Sequence, residues 1–198
     1  METIKLKNYS EIPKGFTGIV EYPNSSKLWY RNGKQHREDG PAREWASGSK
    51  EWWLNNERHR VDGPAIEWSD GEKRWFLNGQ LHRTDGPAIE EADGSKSWYL
   101  NSKYHREDGP AWERADGTKQ WYLNGKVHRV DGPAIEDVDG TKRWFLNGNF
   151  IYVLEPIREY LLIEEGLLSE VEWLGEQVTQ RKVLTEKGFM YIPNLPGI

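Results

Sequence analysis

Hydrophobic and polar positions recur along this chain in a fixed phase. Trp52, Trp75, Trp98, Trp121 and Trp144 stand 23 residues apart. Each is followed by a second aromatic residue (Trp53, Phe76, Tyr99, Tyr122, Phe145) and then by a leucine (Leu54, Leu77, Leu100, Leu123, Leu146). Five heptapeptides of the form HRxDGPA begin at His36, His59, His82, His105 and His128 with the same spacing and no insertion. A fixed period in this range marks a repeat array, in which each unit buries its apolar face only against its neighbours.

Each unit carries two hairpin signals, Asn78-Gly79 and Asp93-Gly94 in the third. These dipeptides supply the positive φ angles of a two-residue type I′ turn. Taking Asp70-Gly71 as such a turn sets Ile66 opposite Trp75, Ala65 opposite Phe76 and Glu67 opposite Arg74. Alternation then directs Trp75, Leu77 and Ile66 to one face, expected to be buried, and Phe76, Ala65, Glu67 and Arg74 to the other, expected to be half covered. Across Asn78-Gly79 the same arithmetic sets His82 opposite Trp75. At Asp85-Gly86-Pro87 the proline removes a ladder donor and the glycine permits a bend, so a break or bulge is expected in every unit. The fold expected is an all-β repeat array: consecutive antiparallel β-hairpins of 23 residues in one elongated, curved sheet, with a small α+β cap at the C-terminus. At about 4.8 Å per strand it would be roughly 50 to 60 Å long.

The run WFLNGQLHR from Trp75 to Arg83, followed by Asp93-Gly94, resembles the MORN repeat. That family shares the 23-residue period, an aromatic-rich first strand, an N-G-K-x-H-G turn and a closing D-G. Asn124-Gly125-Lys126-Val127-His128 and Asn32-Gly33-Lys34-Gln35-His36 match the turn residue by residue. The resemblance covers about residues 16–150 and departs from the family in having Arg after His and D-G-P-A in place of a simple glycine, which makes this a MORN variant. It implies hairpins in a single elongated sheet and a role in binding proteins or membrane surfaces. Variants of this kind occur among bacterial antitoxin-like and viral proteins.

Three segments follow from the phase. Residues 1–28 form an N-terminal half repeat, because Glu21 and Lys27 keep step with Glu44 and Lys50. Residues 29–151 carry the repeats. Residues 152–198 lose the period and read as a cap: a short amphipathic helix from Pro156, a capping box at Ser169 and Glu172, and a hairpin pairing Val178 to Leu184 with Phe189 to Ile192. A partner-binding tail is the alternative reading of that block.

Composition narrows the function. Eleven Trp and nine Tyr in a hydrophilic chain make aromatic burial the main source of cohesion. No cysteine is present, so disulfides and thiolate metal sites are excluded, and a cytoplasmic location is expected. A formal net charge of -5 argues against direct nucleic-acid binding, which rests on neutralising phosphates. No nucleophile elbow, P-loop or dinucleotide fingerprint occurs, so no catalytic residue is assigned, and no cofactor is expected. His and Asp of HRxD invite a metal reading, but five identical sets are expected to serve ring packing and turn hydrogen bonds, and no metal site is assigned.

What varies between units carries more information than what repeats. The residue before His runs Gln35, Arg58, Leu81, Tyr104, Val127, and the residue after Glu runs Trp45, Trp68, Glu91, Arg114, Asp137. Arg43 and Trp112 interrupt a column otherwise filled by Ile66, Ile89 and Ile135. Trp and Arg are the residues most often found as binding anchors, so Trp45, Trp68, Trp112, Arg43, Arg58, Tyr104 and Arg114 are the candidate partner contacts. The repeated Arg37, Arg60, Arg83, Arg106 and Arg129 either pair with neighbouring carboxylates or form an anion-binding stripe. The expected role is a non-enzymatic scaffold that binds another protein through a broad sheet face, including inhibitor or antitoxin-like roles. The alternatives are a scaffold touching acidic lipid and an acidic decoy of a nucleic-acid-binding enzyme. Pairing of edge strands between two copies, giving a homodimer, stays open.

Overall fold

A computed structural model describes residues 2–8, 12–151, 180–185 and 188–193. Among these residues there is no helix. One long sheet of fifteen strands, not closed into a barrel, runs through the repeats as consecutive antiparallel hairpins. Its strands are short, Ile66–Glu67 pairing with Lys73–Arg74, which pairs in turn with Ile89–Glu90. The hairpins closed at Asn55-Asn56, Asn78-Gly79, Asn101-Ser102 and Asn124-Gly125 form two-stranded pairs of their own, such as Phe76–Leu77 with Gln80–Leu81. The expected interruption of the ladder is therefore present. The chain passes from one layer to the other at Trp75, whose N–H donates to Ala88 O (2.8 Å) while its carbonyl accepts from His82 N–H (3.1 Å).

The two turns differ in kind. Asn78 (φ 50°) and Gly79 (φ 75°) form the two-residue turn expected, and His82 does lie opposite Trp75. The Asp-Gly turn is longer by one residue than expected. Trp68 N–H donates to Glu72 O (2.9 Å), Gly71 N–H donates to Trp68 O (3.1 Å), and only Gly71 (φ 98°) has a positive φ. This is a three-residue loop of a type I turn closed by a left-handed glycine. Ile66 consequently pairs with Arg74 and Glu67 with Lys73. Because side chains alternate, a one-residue change of register reverses the faces. Ile66 shares its face with Arg74 and Phe76, whereas Ala65 and Glu67 share theirs with Lys73 and Trp75.

Burial follows the corrected register. Ala42, Ala65, Ala88, Ala111 and Ala134 are 0% exposed, and Ile66, Ile89 and Ile135 are buried. The Trp column is half-buried, apart from Trp29, which is buried. Each indole from Trp29 to Trp121 is roofed by the guanidinium eight residues on, 3.9 to 4.2 Å from the ring centre, as in Arg83 over Trp75. Beyond the guanidinium lies the backbone of the DGPA glycine. A Cβ on Gly86 would stand 2.8 Å from Arg83 Cζ, so this glycine makes room for the arginine and no bend at a left-handed residue is involved. The same Arg83 donates through Nε to Asp85 (2.9 Å) and through Nη1 to Pro87 O (3.1 Å) and Glu90 (3.0 Å). The aspartate of HRxD thus serves chiefly the arginine before it, and the acceptance from a backbone N–H expected of it is a lesser contribution, from its own N–H.

Neighbouring units are clamped at both turns. The Asn78 N–H donates to His59 Nδ1, and the equivalent bond recurs at all five histidines over 3.1 to 3.4 Å. At the other turn the hydroxyls of Ser26, Ser49 and Ser95 each accept the N–H of a turn residue one unit later, at 3.0 Å. Where the second turn residue is Asn56 or Ser102 in place of glycine, its side chain accepts the N–H of Gln35 (2.6 Å) or Leu81 (3.2 Å). That extra bond offsets the strained positive φ. Replacing His82 with alanine is expected to cost about 1 kcal/mol through the lost interunit acceptor. Denaturant melts of that variant that superimpose on those of the parent chain would contradict the role.

At the N-terminus Thr3–Lys5 adds a parallel strand to Gly18–Glu21, and Ile4, Leu6 and Ile12 pack on a core of Phe16, Val20, Tyr22 and Leu28. Glu21 pairs with Lys27 and Lys27 with Glu44, the phase expected of a half repeat. The C-terminal hairpin is present as Gln180–Thr185 with Gly188–Pro193. The helix from Pro156, the capping box at Ser169 and Glu172, and Val178 lie outside the described residues.

Acid lability is built into this frame. The arginine two residues earlier, first by hydrogen bond and then by charge, holds the carboxyls of Asp39, Asp62, Asp85 and Asp108 below the ordinary 3.8. Backbone N–H groups two residues on do the same for Asp93, Asp116 and Asp139. A lowered folded value contributes stability that is complete above pH 3.8 and is lost as the pH falls through the folded value. Chemical melts between pH 5 and 2 should therefore show the carboxylate-linked loss setting in below 3.8. Stability that rises on acidification through that window would refute the assignment.

Candidate functional site

The register separates what repeats from what varies. One ladder alternates lysine and glutamate without exception: Lys27, Glu44, Lys50, Glu67, Lys73, Glu90, and so on to Lys142. Each of these glutamates from Glu44 to Glu136 also accepts from the Arg column. The adjacent ladder, on the opposite face, reads Leu28, Arg43, Glu51, Ile66, Arg74, Ile89, Ser97, Trp112, Gln120, Ile135, Arg143. Alternation puts the column of Trp45, Trp68 and Arg114 on this second face. Contacts with the ladder bring in Gln35 and Arg58 of the next column, and Tyr104 joins through Tyr122, whose hydroxyl donates to the ladder residue Gln120.

Where the first unit meets the second, the variable residues converge on one buried carboxylate. Glu51 is 2% exposed. Its Oε1 accepts from Trp45 Nε1 (3.1 Å) and Arg43 Nη1 (3.4 Å), and its Oε2 from Trp53 Nε1 (3.1 Å) and Arg58 Nε (3.3 Å). Arg43 also donates to Gln35 Oε1 (2.9 Å), and both guanidinium groups lie over Trp53, at 4.5 and 4.9 Å. A carboxylate taken out of water needs this many donors, because burial alone would penalise its charge. Three expected contacts, Trp45, Arg43 and Arg58, are thus brought together by a residue that sequence reasoning passed over. The signal was present: the column Glu51, Arg74, Ser97, Gln120, Arg143 varies as strongly as the columns that were singled out.

Further along, the same face is aromatic. Tyr104 stacks between Tyr99 (4.2 Å between ring centres) and Tyr122 (4.9 Å), and Tyr122 donates to Gln120 (2.8 Å). Trp112 pairs with Gln120 and lies under Arg114, 5.7 Å from the ring centre. Burial, with Tyr104 adding to it, pushes the phenols of Tyr99 and Tyr122 up. Trp68, 37% exposed, is the most open of the three candidate tryptophans.

Arg37, Arg60, Arg83, Arg106 and Arg129 lie on the other face. Each donates to an aspartate, a proline carbonyl and a glutamate, so the column is committed to internal pairing. Among the described residues no group of three or more His, Asp or Glu side chains is placed to hold a metal ion, and no helix is long and apolar enough to cross a membrane. No protein-family model matches the chain, and no curated protein matches it.

Proposed function

We propose that this chain is a non-enzymatic, MORN-like repeat scaffold that binds a partner protein through the variable face. The observation that carries the reading is the segregation of variation: eleven strands keep one face as an unbroken Lys/Glu ladder, while the face behind it changes in every unit. Packing constrains the second face no less, so its variety needs another cause. Its composition is that of an interface, rich in Trp, Tyr and Arg and lacking lysine in the variable columns. At the half repeat the same columns, as Val20, Tyr22 and Leu28, are buried under the chain's own Ile4, Leu6 and Ile12, so this face accepts a covering segment. Inhibition of the partner, as an antitoxin-like protein would exert it, is the regulatory form that such binding takes.

The test is affinity capture with quantified binding of the captured protein. Trp112→Ala combined with Tyr104→Ala should weaken it by a factor on the order of 30 or more, the scale of two interface anchors, whereas Lys73→Ala with Lys96→Ala should change it little. Equal loss from both pairs, or capture of phosphatidylserine vesicles in place of a protein, would remove the reading.

A further inference from the structure

The charges on the variable face are not symmetrically presented. Arg58, Arg74, Arg114 and Arg143 keep 36% to 51% of their side chains exposed, and each is more open than the carboxylate it holds: Glu51, Glu72, Asp116 and Asp137 keep 2%, 19%, 39% and 27%. Glu91 is the exposed carboxylate of these columns. A chain with a net charge of -5 thus turns arginine outward and withdraws carboxylate on this one surface.

Glu51 shows what the surface does with a carboxylate: indole N–H groups and guanidinium groups close around it. One unit later the tryptophan is retained as Trp68, but Arg74 stands in the column of Glu51. Glu51 and Arg74 both pair with Ile66, and Arg58 reaches from Glu51 over the Phe76 ring (5.6 Å). This stretch therefore keeps one indole and two guanidinium groups, with Ile66 and Phe76 in place of the donors Arg43 and Trp53; Arg58 is held by Glu51 and Arg74 by Glu72, each through Nε, and the two keep 36% and 41% of their side chains exposed. Three ladder steps on from Arg74, past Ile89 and Ser97, comes Trp112 beside the tyrosine stack.

We infer that the variable face docks an acidic segment of the partner protein, taking a side-chain carboxylate at Arg58, Arg74 and Trp68 and an aromatic or aliphatic side chain at Tyr104 and Trp112. The inference rests on the protein-binding reading above. The two subsites lie roughly 14 Å apart at about 4.8 Å per strand, which an extended segment spans in about four residues. Charge complementarity favours a peptide over a polyanion. A phosphate polymer or lipid surface needs a broad basic field, and the lysines here each face a glutamate across the ladder. A short acidic segment needs only the few exposed guanidinium groups, whose planar fork matches carboxylate.

The experiment is selection of random dodecapeptides displayed on phage against the whole chain. Enriched peptides should carry an aspartate or glutamate about four residues from an aromatic or large aliphatic residue. Arg58→Glu with Arg74→Glu should weaken a selected synthetic peptide at least ~10-fold, the scale of a lost interfacial charge pair, and Lys73→Glu should not. Because Arg58 also holds Glu51, Arg74→Gln alone is the second variant, with a loss of about 3-fold or more expected from one charge-assisted bond. Enrichment of neutral or basic peptides, absence of any enrichment, or indifference to Arg74→Gln overturns the inference. So does arginine-dependent binding of phosphatidylserine vesicles or an oligothymidylate, which assigns these arginines to phosphate. A captured partner that depends on Trp112 while selected peptides lack acidic residues would sink this inference and leave the protein-binding reading standing.

Discussion

Glu51→Ala is expected to destabilise the chain by about 3 to 5 kcal/mol, the largest effect of any single substitution on the variable face. The cost is not one lost contact. Arg43 and Arg58 would remain half-buried without their shared counter-charge, and the indole N–H groups of Trp45 and Trp53 would lose their acceptor. Replacing the whole network is a different matter, since apolar residues of suitable shape need no partners. Other units already use Ile89, Ser97 and Leu81 in the same columns. Arg43→Ile, Glu51→Ser and Arg58→Leu together should therefore recover most of the stability lost in Glu51→Ala. Urea melts of the parent, single and triple variants decide the matter, and a single-variant loss below about 1 kcal/mol would show that the carboxylate is not a hub.

Arg83→Ala should cost about 2 to 3 kcal/mol, because one guanidinium covers the Trp75 ring and holds Asp85, Pro87 O and Glu90 together. Gly86→Ala should cost about 1 to 2 kcal/mol for a reason that depends on that arginine. Its Cβ would sit 2.8 Å from Arg83 Cζ, and the guanidinium cannot retreat without meeting the indole 4.0 Å behind it. The two substitutions are therefore coupled. In the Arg83→Ala background the cost of Gly86→Ala should fall close to zero, since no positive φ at Gly86 opposes alanine. A double-mutant cycle that came out additive would mean that the glycine serves the backbone instead.

Much of this was legible in the residues. The period, the Asn-Gly turns, the pairing of His82 with Trp75 and the half repeat at Glu21 and Lys27 all depend on local chemistry or on simple phase, and local chemistry does not change when the units stack. The contact candidates were legible for a related reason: departures from a repeat are visible without coordinates. That Trp45, Arg43 and Arg58 meet at Glu51 was not, because their separations along the chain give no sign that Arg58, on a different hairpin, reaches the same carboxylate.

By itself the amino-acid sequence determined the repeat, the class of fold and the residues that stand apart from it. Only the tertiary structure decided which side of the sheet they occupy. An Asp-Gly pair suits a two-residue loop as well as a three-residue one, and only the strand pairing tells them apart; at Asp70 the longer loop is held both by the stacked neighbour and by its own carboxylate. Ser49 Oγ accepts the Ser69 N–H from one unit away, while Asp70 turns its carboxylate to the Glu72 N–H within the loop. With side chains alternating at every residue, that one extra loop residue moves Ile66 from the tryptophan column to the variable face and gathers every candidate contact on a single surface.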